Sequence, residues 1–403
     1  MPLHPRGSTR LASSPSVTTA AARYQRFVAE TMQRRIPAIL RTAEEAVGEE
    51  AARQLKAIGR AIEADGPMVL DLTGWPFAGW EDMPARVNGK RPRQATFFDF
   101  EYWMYFRILQ SVRFPETRLD PFRPIKHHDL DKHLQWADKA LGETTSFEAG
   151  LRLSLAANAH DLSQISKPVE AHEFGGELLK IDAGEVNRLN IVADNFGAEF
   201  MGDLVLAILA AEHGIEVVIH VKQLPMFVSD TTADDVTILL DRLTQATGFG
   251  QRLLKAVRQG LVRFASNPIW SAPRFFDKLP AEELGVGARV LTVLKGDLNF
   301  RRAIGDVSVE IETSFDKLPV LPAAPMLSLR SIKSYCVAGV TDWPAGVSRT
   351  EFPMDGSIVA VQRVPTRAVA ATEAMASIPL RANRLRRWLR RGQGDPSEPG
   401  AGT

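Results

Sequence analysis

One cysteine in 403 residues, Cys336, has no partner within the chain. An internal disulfide and any cysteine-rich zinc or iron–sulfur site are excluded. Such sparing use fits a reducing compartment, and the expected location is cytoplasmic. No run of about 18 apolar residues exists, which excludes a transmembrane helix. Charge of one sign is not in excess: 49 Lys and Arg face 48 Asp and Glu, a net +1. A whole-chain polyanion binder is thereby disfavoured, because nucleic-acid affinity is built from clustered positive charge. No G-x-G-x-x-G follows an expected strand and no G-x-x-x-x-G-K-[ST] occurs, so dinucleotide and P-loop sites have no support. Repeats at solenoid periods are absent as well.

What is present is an ordinary globular composition, 45% apolar and 24% charged. The length suggests two to three domains and suffices to bury a core without metal or disulfide staples. Residues 1–20 are expected to be a disordered polar tail. Their arginines and lack of acids resemble a transit peptide in composition, but no apolar signal core is present. Residues 381–403 carry six arginines between Arg381 and Arg391, around Trp388 and Leu389. This tail is expected to be a solvated basic helix, with neither membrane nor nucleic acid as partner.

The first half reads as helix. Phe27, Met32, Ile36, Ile39 and Leu40 recur at helical spacing, and 97–113 is a dense aromatic run at the same spacing. Helices are also expected at 130–141 and 145–157. From about 188 the pattern alternates between strand and helix. Strands are expected at 189–193, 215–221 and 289–294, with two more at 335–340 and 357–361; helices are expected at 200–212 and 235–245, and a loop at 266–277. Such alternation implies a mainly parallel sheet covered on both faces. The expected architecture is α/β: a Rossmann-like α/β/α sandwich at 181–380, preceded by an α-helical domain at 21–180.

Ligands of open parallel sheets bind outside the carboxyl ends of the strands. Asp194 and Asn195 follow the first strand; Lys222, Ser229 and Asp230 follow the second; Lys295, Gly296, Asp297 and Asn299 follow the third. Any one acid there is more often a turn former or helix cap. Three acids after three strands repel one another and need a positive partner. A hard divalent cation with oxygen ligands is the economical one. Lys222, Lys295, Arg330 and Lys333 lie close by in sequence, and acids with cations suit a metal beside a phosphate, the kit of phosphoryl transfer.

These residues resemble the damage-control phosphatases, also called the acidic-residue methyltransferase-like family. DNFGAE at 194–199 is similar to the family's DNxGxE segment, HVKQLPMFVSD at 220–230 to its lysine loop ending in FVSD, and KGDLNFRR at 295–302 to its GDLNYR segment. RSIK at 330–333 resembles the RTxK signature of the branch acting on sugar phosphates, and FEYWMYFRI at 100–108 and NAHDLS at 158–163 resemble two helical motifs. Together they span roughly 97–340 in the family's order. Departures occur at Phe196 and Ala198, before Asn158, at Met226 and at Ser331, none of them among the metal ligands.

The resemblance implies a metal-dependent phosphatase hydrolysing small sugar phosphates such as hexose phosphates. Asp194, Asn195 and Asp230 would ligate the cation, with Mn²⁺ favoured over Co²⁺, Ni²⁺ or Mg²⁺. Glu199, Gly296, Asp297, Leu298, Asn299, Phe300 and Lys333 would contact substrate. Glu101, Asn158 and Asp161 would approach from the helical side, and Lys222 and Arg330 are included as neighbouring cations. Asp194, Asp230 and Asp297 are the expected catalytic acids; Lys333 and N–H groups near Gly296 would hold phosphate oxygens. Two other functions compete, an S-adenosylmethionine-dependent carboxyl methyltransferase and a catalytically inactive binding module. His127, His128 and His133 fit no helical ligand pair, and a solvated helix start is expected for them. Cys336 is expected in a strand as a buried inert thiol.

Overall fold

The computed structural model describes residues 19–159, 172–174, 181, 183–243, 248–279, 287 and 289–368. Asp161 and nearly all of both expected tails lie outside them.

Three helices open the chain: α1 (Thr19–Glu30), α2 (Ile36–Glu45) and α3 (Glu49–Glu63), with a π-helical turn, Thr31–Arg35, joining the first two. Ile36, Leu40 and Ala43 of α2 and Leu55, Ile58 and Ile62 of α3 are buried, the i, i+3/i+4 stripes of two helices packed as a hairpin. A short α4 (Met83–Val87) precedes α5 (Phe97–Ser111). Thr96 caps α5, its hydroxyl accepting from the Asp99 N–H at 3.1 Å. Thirteen of its fifteen residues are buried, so this aromatic helix is a centre of the helical half rather than a surface element. Then come α6 (Phe114–Thr117), α7 (Arg123–His127), α8 (Leu130–Glu143) and α9 (Phe147–Ala159).

The remainder is one seven-stranded sheet. Its strands are β1 (His172–Phe174), β2 (Arg188–Val192), β3 (Glu216–Val221), β4 (Val262–Ser266), β5 (Val290–Lys295), β6 (Met326–Ser331) and β7 (Ile358–Val364), in spatial order β1-β7-β6-β5-β2-β3-β4. All pairs are parallel except β6–β7. Helices α10 (Ala198–Glu212), α11 (Ala233–Leu243), α12 (Phe249–Arg258) and α13 (Asp297–Ile304) make the crossovers. The expected α/β fold with a mainly parallel sheet is therefore what the chain forms.

Alternation along β2 divides the core. Leu189 and Ile191 face a cluster with α8, α9, α10 and α12; Val192 joins one with Leu294, Met226 and the helical half. The amino-terminal helices thus share a continuous apolar core with one sheet face. α1 is tied to a segment far along the chain: Arg23 Nη2 donates to the Val309 carbonyl at 2.8 Å and Ser308 Oγ to the Ala20 carbonyl at 2.5 Å. β1 lies in the sheet although it precedes residue 181, the expected start of the α/β region.

Three local expectations fail. Tyr335–Val340 is not a strand. It is apolar and buried, but the Gly339 and Val340 N–H groups bond the Thr313 and Ile311 carbonyls instead of the sheet. The true strand is β6, whose six residues are all buried, including Ser328, Arg330 and Ser331, so it lacks an apolar pattern. Edge strand β4, partly exposed, escaped for the same reason. Of the histidines, only His128 is exposed as a solvated helix start would be. His133 is 1% exposed, and His127 contacts Asp235 Oδ1 at 2.7 Å and stacks on Phe196 at 4.7 Å.

That contact belongs to a buried charge cluster. Lys126 pairs with Asp120 at 2.7 Å and with Asp235, and donates to the Asp230 carbonyl at 3.2 Å. Burial alone would raise the Asp235 pKa, but the His127 hydrogen bond and the Lys126 charge outweigh it and hold it at about 2, below the ordinary 3.8. A carboxyl depressed in the folded state contributes stability above its unfolded pKa and loses it as pH falls through the folded one. Urea unfolding between pH 5 and 2 is therefore expected to show a loss of about 2 kcal/mol from this group, concentrated between about pH 4 and 2. Asp235→Asn should flatten that part of the profile; an unchanged acid limb would remove Asp235 from the account.

Candidate metal and phosphate site

β5, β2 and β3 are neighbours at the middle of the sheet. The chain leaves β2 toward β3 and β4, then returns on the other side of β2 as β5. That reversal opens a crevice at the carboxyl ends of β2 and β5, where such sheets bind ligands. Asp194 follows β2 there, and Gly296 and Asp297 follow β5. Asp230 arrives from the β3 side, its backbone bridged to Asn195. The Thr231 N–H donates to the Asp194 carbonyl at 2.8 Å and the Phe196 N–H to the Ser229 carbonyl at 2.7 Å, locking the two loops together.

The loop that delivers Asp230 is strained. Phe227 and Val228 have φ of 53° and 70°. For a bulky and a β-branched residue this left-handed backbone is an outlier that the surroundings must enforce. Tyr102 and Tyr105 of α5 do so by packing on the Phe227 ring at 5.1 and 4.8 Å.

A cleft of about 190 Å³ opens over this floor, lined by Phe27, Arg35, Glu101, Asp194, Asn195, Phe227, Ser229, Asp297, Leu298, Arg301, Lys333 and Ser334. Of the expected site residues, Asp194, Asn195, Asp297, Leu298, Glu101 and Lys333 meet in it. Asp230, Glu199, Lys222, Gly296, Asn299, Phe300 and Arg330 lie behind the lining. Arg330, fully buried, donates to Asp297 Oδ1 at 2.7 Å and lies 3.5 Å from the centre of the Phe300 ring. It holds the Asp297 carboxylate from behind the lining. Glu199 Oε2 accepts from Asn195 Nδ2 at 2.9 Å, and Lys222 Nζ donates to Asn299 Oδ1 at 3.3 Å. The Gly296 N–H itself is taken by the Leu329 carbonyl at 3.1 Å. The first-turn N–H groups of α13, which lack intrahelical acceptors, are the available donors. Asn158 falls in the last turn of α9, and its side chain lies outside the described residues.

The electrostatics are those of buried acids only partly offset by nearby cations. Burial first, and then the Glu199 charge, push the Asp194 pKa well above the carboxylate range, with Lys222 opposing. Burial raises Asp230 to about 6 and lowers Lys222. Asp230 Oδ1 is buried with no hydrogen-bond partner among the described residues. Asn195 Nδ2 sits between Asp194 Oδ2 at 3.0 Å and Glu199, and its Oδ1 accepts from Ser229 Oγ at 2.5 Å. An amide half-turn would offer Oδ1 to that same place and Nδ2 to the hydroxyl, which accepts as readily as it donates. Among the described residues no three His, Cys, Asp or Glu side chains form a metal-binding group. The candidate set instead has two carboxylates and one amide. Hard oxygen donors, one orphaned and buried, fit a hard divalent cation. Nor is any described helix long and apolar enough to cross a membrane.

Sequence reasoning gives no role to Phe227, Arg35 and Arg301, and names Ser229 only as following the second strand. Arg301 Nη1 pairs with Glu101 at 2.9 Å, joining the helical half to α13. Nothing in the sequence linked residues two hundred positions apart.

Comparison with known proteins places the chain in a family. Residues 31–346 match the model of the damage-control phosphatase ARMT1-like domain. Damage-control phosphatase ARMT1 of Danio rerio is 29% identical over 178 residues, 41% of this chain and 40% of that protein. The Homo sapiens protein of the same name is 28% identical over 171 residues, 40% of this chain and 39% of that protein. The chain thus spans about two fifths of the length of the curated relatives it matches. A solved DUF89 family protein from Pyrococcus horikoshii aligns with a TM-score of 0.45 at 16% identity, covering 83% of this chain and 98% of that one. With the family match covering most of its length, the chain belongs to the damage-control phosphatase ARMT1-like family.

Proposed function

We propose that the protein is a metal-dependent phosphatase acting on small phosphate esters, sugar phosphates foremost. The observation that carries this reading is the orphaned, buried Asp230 Oδ1 beside Asp194 and Asn195, under a cleft that also holds Lys333. Asp194, Asn195 and Asp230 hold the divalent cation. When bound, the cation polarises the phosphoryl group and lowers the pKa of a water ligand. Lys333, exposed at the cleft, takes phosphate oxygens, and the first turn of α13 adds N–H donors where charge develops. Asp297, pinned by Arg330, faces the ester and orients a sugar hydroxyl or protonates the leaving oxygen. Glu199 holds the Asn195 amide, and Lys222 holds Asn299 and offsets the charge of the acids.

Phosphate release tests the reading. Protein stripped with chelator, then given Mn²⁺, Co²⁺, Ni²⁺ or Mg²⁺ singly, is assayed on hexose and pentose phosphates beside p-nitrophenyl phosphate. Metal-dependent release is expected. Folded protein that releases no phosphate with any metal would overturn the reading and return weight to a methyltransferase or a binding module.

Gly296 carries a companion prediction. Its φ is 78°, and a Cβ there would lie 1.8 Å from Asp194 Oδ2. Gly296→Ala must therefore displace the Asp194 carboxylate. A displacement of about 1 Å at a reacting centre costs on the order of 10²-fold in rate. Release by Gly296→Ala is expected to fall by that order in the assay above; near-normal release would show that Asp194 has room to move.

A further inference from the structure

Two cations at the cleft are not spent in a direct ion pair. The lining holds three acids, Glu101, Asp194 and Asp297, and three cations, Arg35, Arg301 and Lys333. Glu101 is taken by Arg301, which also bonds Asp306 Oδ1 at 2.5 Å. Asp297 is taken by Arg330, from behind the lining. Asp194 belongs to the cation site. Arg35 and Lys333 are both exposed and make no direct hydrogen bond or ion pair with a described residue, although the charge of Arg35 acts on Glu101 and that of Lys333 on Asp194. The Nη2 of Arg301 adds a buried donor with no partner among the described residues.

Lys333 suffices for the ester phosphate. Arg35 stands apart from it in the chain, on the helical half, where it ends the π-helical turn Thr31–Arg35. π-Helical turns occur mostly as local insertions and frequently mark functional positions. A guanidinium presents a planar fork of donors that matches a carboxylate or phosphate in two-point contact. We propose that Arg35 is a specificity residue that selects phosphate esters bearing a second oxyanion, with Arg301 Nη2 as a further donor. Sugar-acid phosphates and sugar bisphosphates share that chemistry. The proposal rests on the phosphatase reading for its substrate class, but its recognition step is testable without turnover.

The test uses the full chain with Mn²⁺ and three probes: glucose 6-phosphate, 6-phosphogluconate and glucose 1,6-bisphosphate. The wild type should favour at least one two-anion probe in kcat/KM. Loss of one charge-assisted contact should cut that preference by about tenfold in Arg35→Met, through KM more than kcat. Arg35→Lys should recover part of it. If the carboxylate probe alone responds, the second group is a carboxylate; if the bisphosphate alone responds, it is a phosphate. Calorimetric titration of the same probes into both proteins reads recognition directly. Tighter binding of a two-anion probe by the wild type, lost in Arg35→Met, supports the proposal even if no probe is hydrolysed, in which case only the phosphatase reading falls. Equal affinity of the two proteins for every probe, or an equal change in kcat/KM across all three, would overturn it.

Discussion

Asp230→Asn is expected to lower metal-dependent phosphate release by a factor on the order of 10³, the loss seen when a group that holds transition-state charge is removed. The substitution keeps shape and removes charge. It should not weaken the metal-free fold, because burial already disfavours the Asp230 carboxylate and raises its pKa to about 6. The informative readout is thermal. A cation that binds the folded state raises the wild-type melting temperature by mass action. Asp230→Asn should lose that increment while melting, metal-free, at or above the wild-type temperature. Lost activity with a full metal-induced increment would mean that Asp230 acts on substrate and not on the cation.

The second large effect falls on stability. Lys295, fully buried at the end of β5, pairs with Asp203 at 3.0 Å, approaches Glu199 at 3.9 Å, and donates to Ser154 Oγ at 2.8 Å and to the Ser154 carbonyl. Ser154 Oγ in turn donates to Asp203 Oδ1 at 2.6 Å. This knot joins β5, α9 and α10 where all three are packed. Burial lifts the Asp203 pKa to about 6 even with Lys295 opposing it. Lys295→Met leaves Asp203 buried without its counter-charge, and breaking such a pair costs about 3–5 kcal/mol. Urea unfolding should show a midpoint shift of that size. Replacing both partners, Lys295→Met with Asp203→Leu, should recover most of it, since apolar substitutes remove the desolvation cost from both ions. A single-variant loss under about 1 kcal/mol, the scale of a surface pair, would show that water reaches Asp203.

Neither residue was equally legible in the sequence. Asp230 was, because acids after apolar β-branched runs are local signals and a sheet's polarity sends them to one edge. The central strands β2, β3 and β5 read correctly for the same reason: Leu189–Val192 and Val217–Val221 are short apolar blocks between polar bounds. β6 did not, because Arg330 and Ser328 are buried by pairing with Asp297 and packing within the fold, a fact about partners and not about the strand itself. Tyr335–Val340 misled in the opposite sense, since burial of an apolar run says nothing of which carbonyls its N–H groups reach. Lys295 was seen as a cation near the site. Its role as a structural counter-charge depends on Ser154 and Asp203, which only the packing of α9 on α10 reveals. Arg35 was invisible because a helix of arginines and glutamines carries no mark of which one turns toward a cleft whose sheet-side residues begin only at Asp194.

The tie between α1 and residues 308–310 has a consequence in time. The carbonyl that accepts from Arg23 belongs to Val309, 286 positions later. During synthesis at about 5–20 residues per second, α1 waits on the order of 15–60 s before its partner leaves the ribosome. Over that interval the first three helices can pack on the rest of their shared core, α5, Met226 and Leu294 included, but lack the residues that fasten α1. Residues 308–310 therefore act as a late clasp, and a chain stalled before them would leave the amino-terminal helices assembled but not fastened.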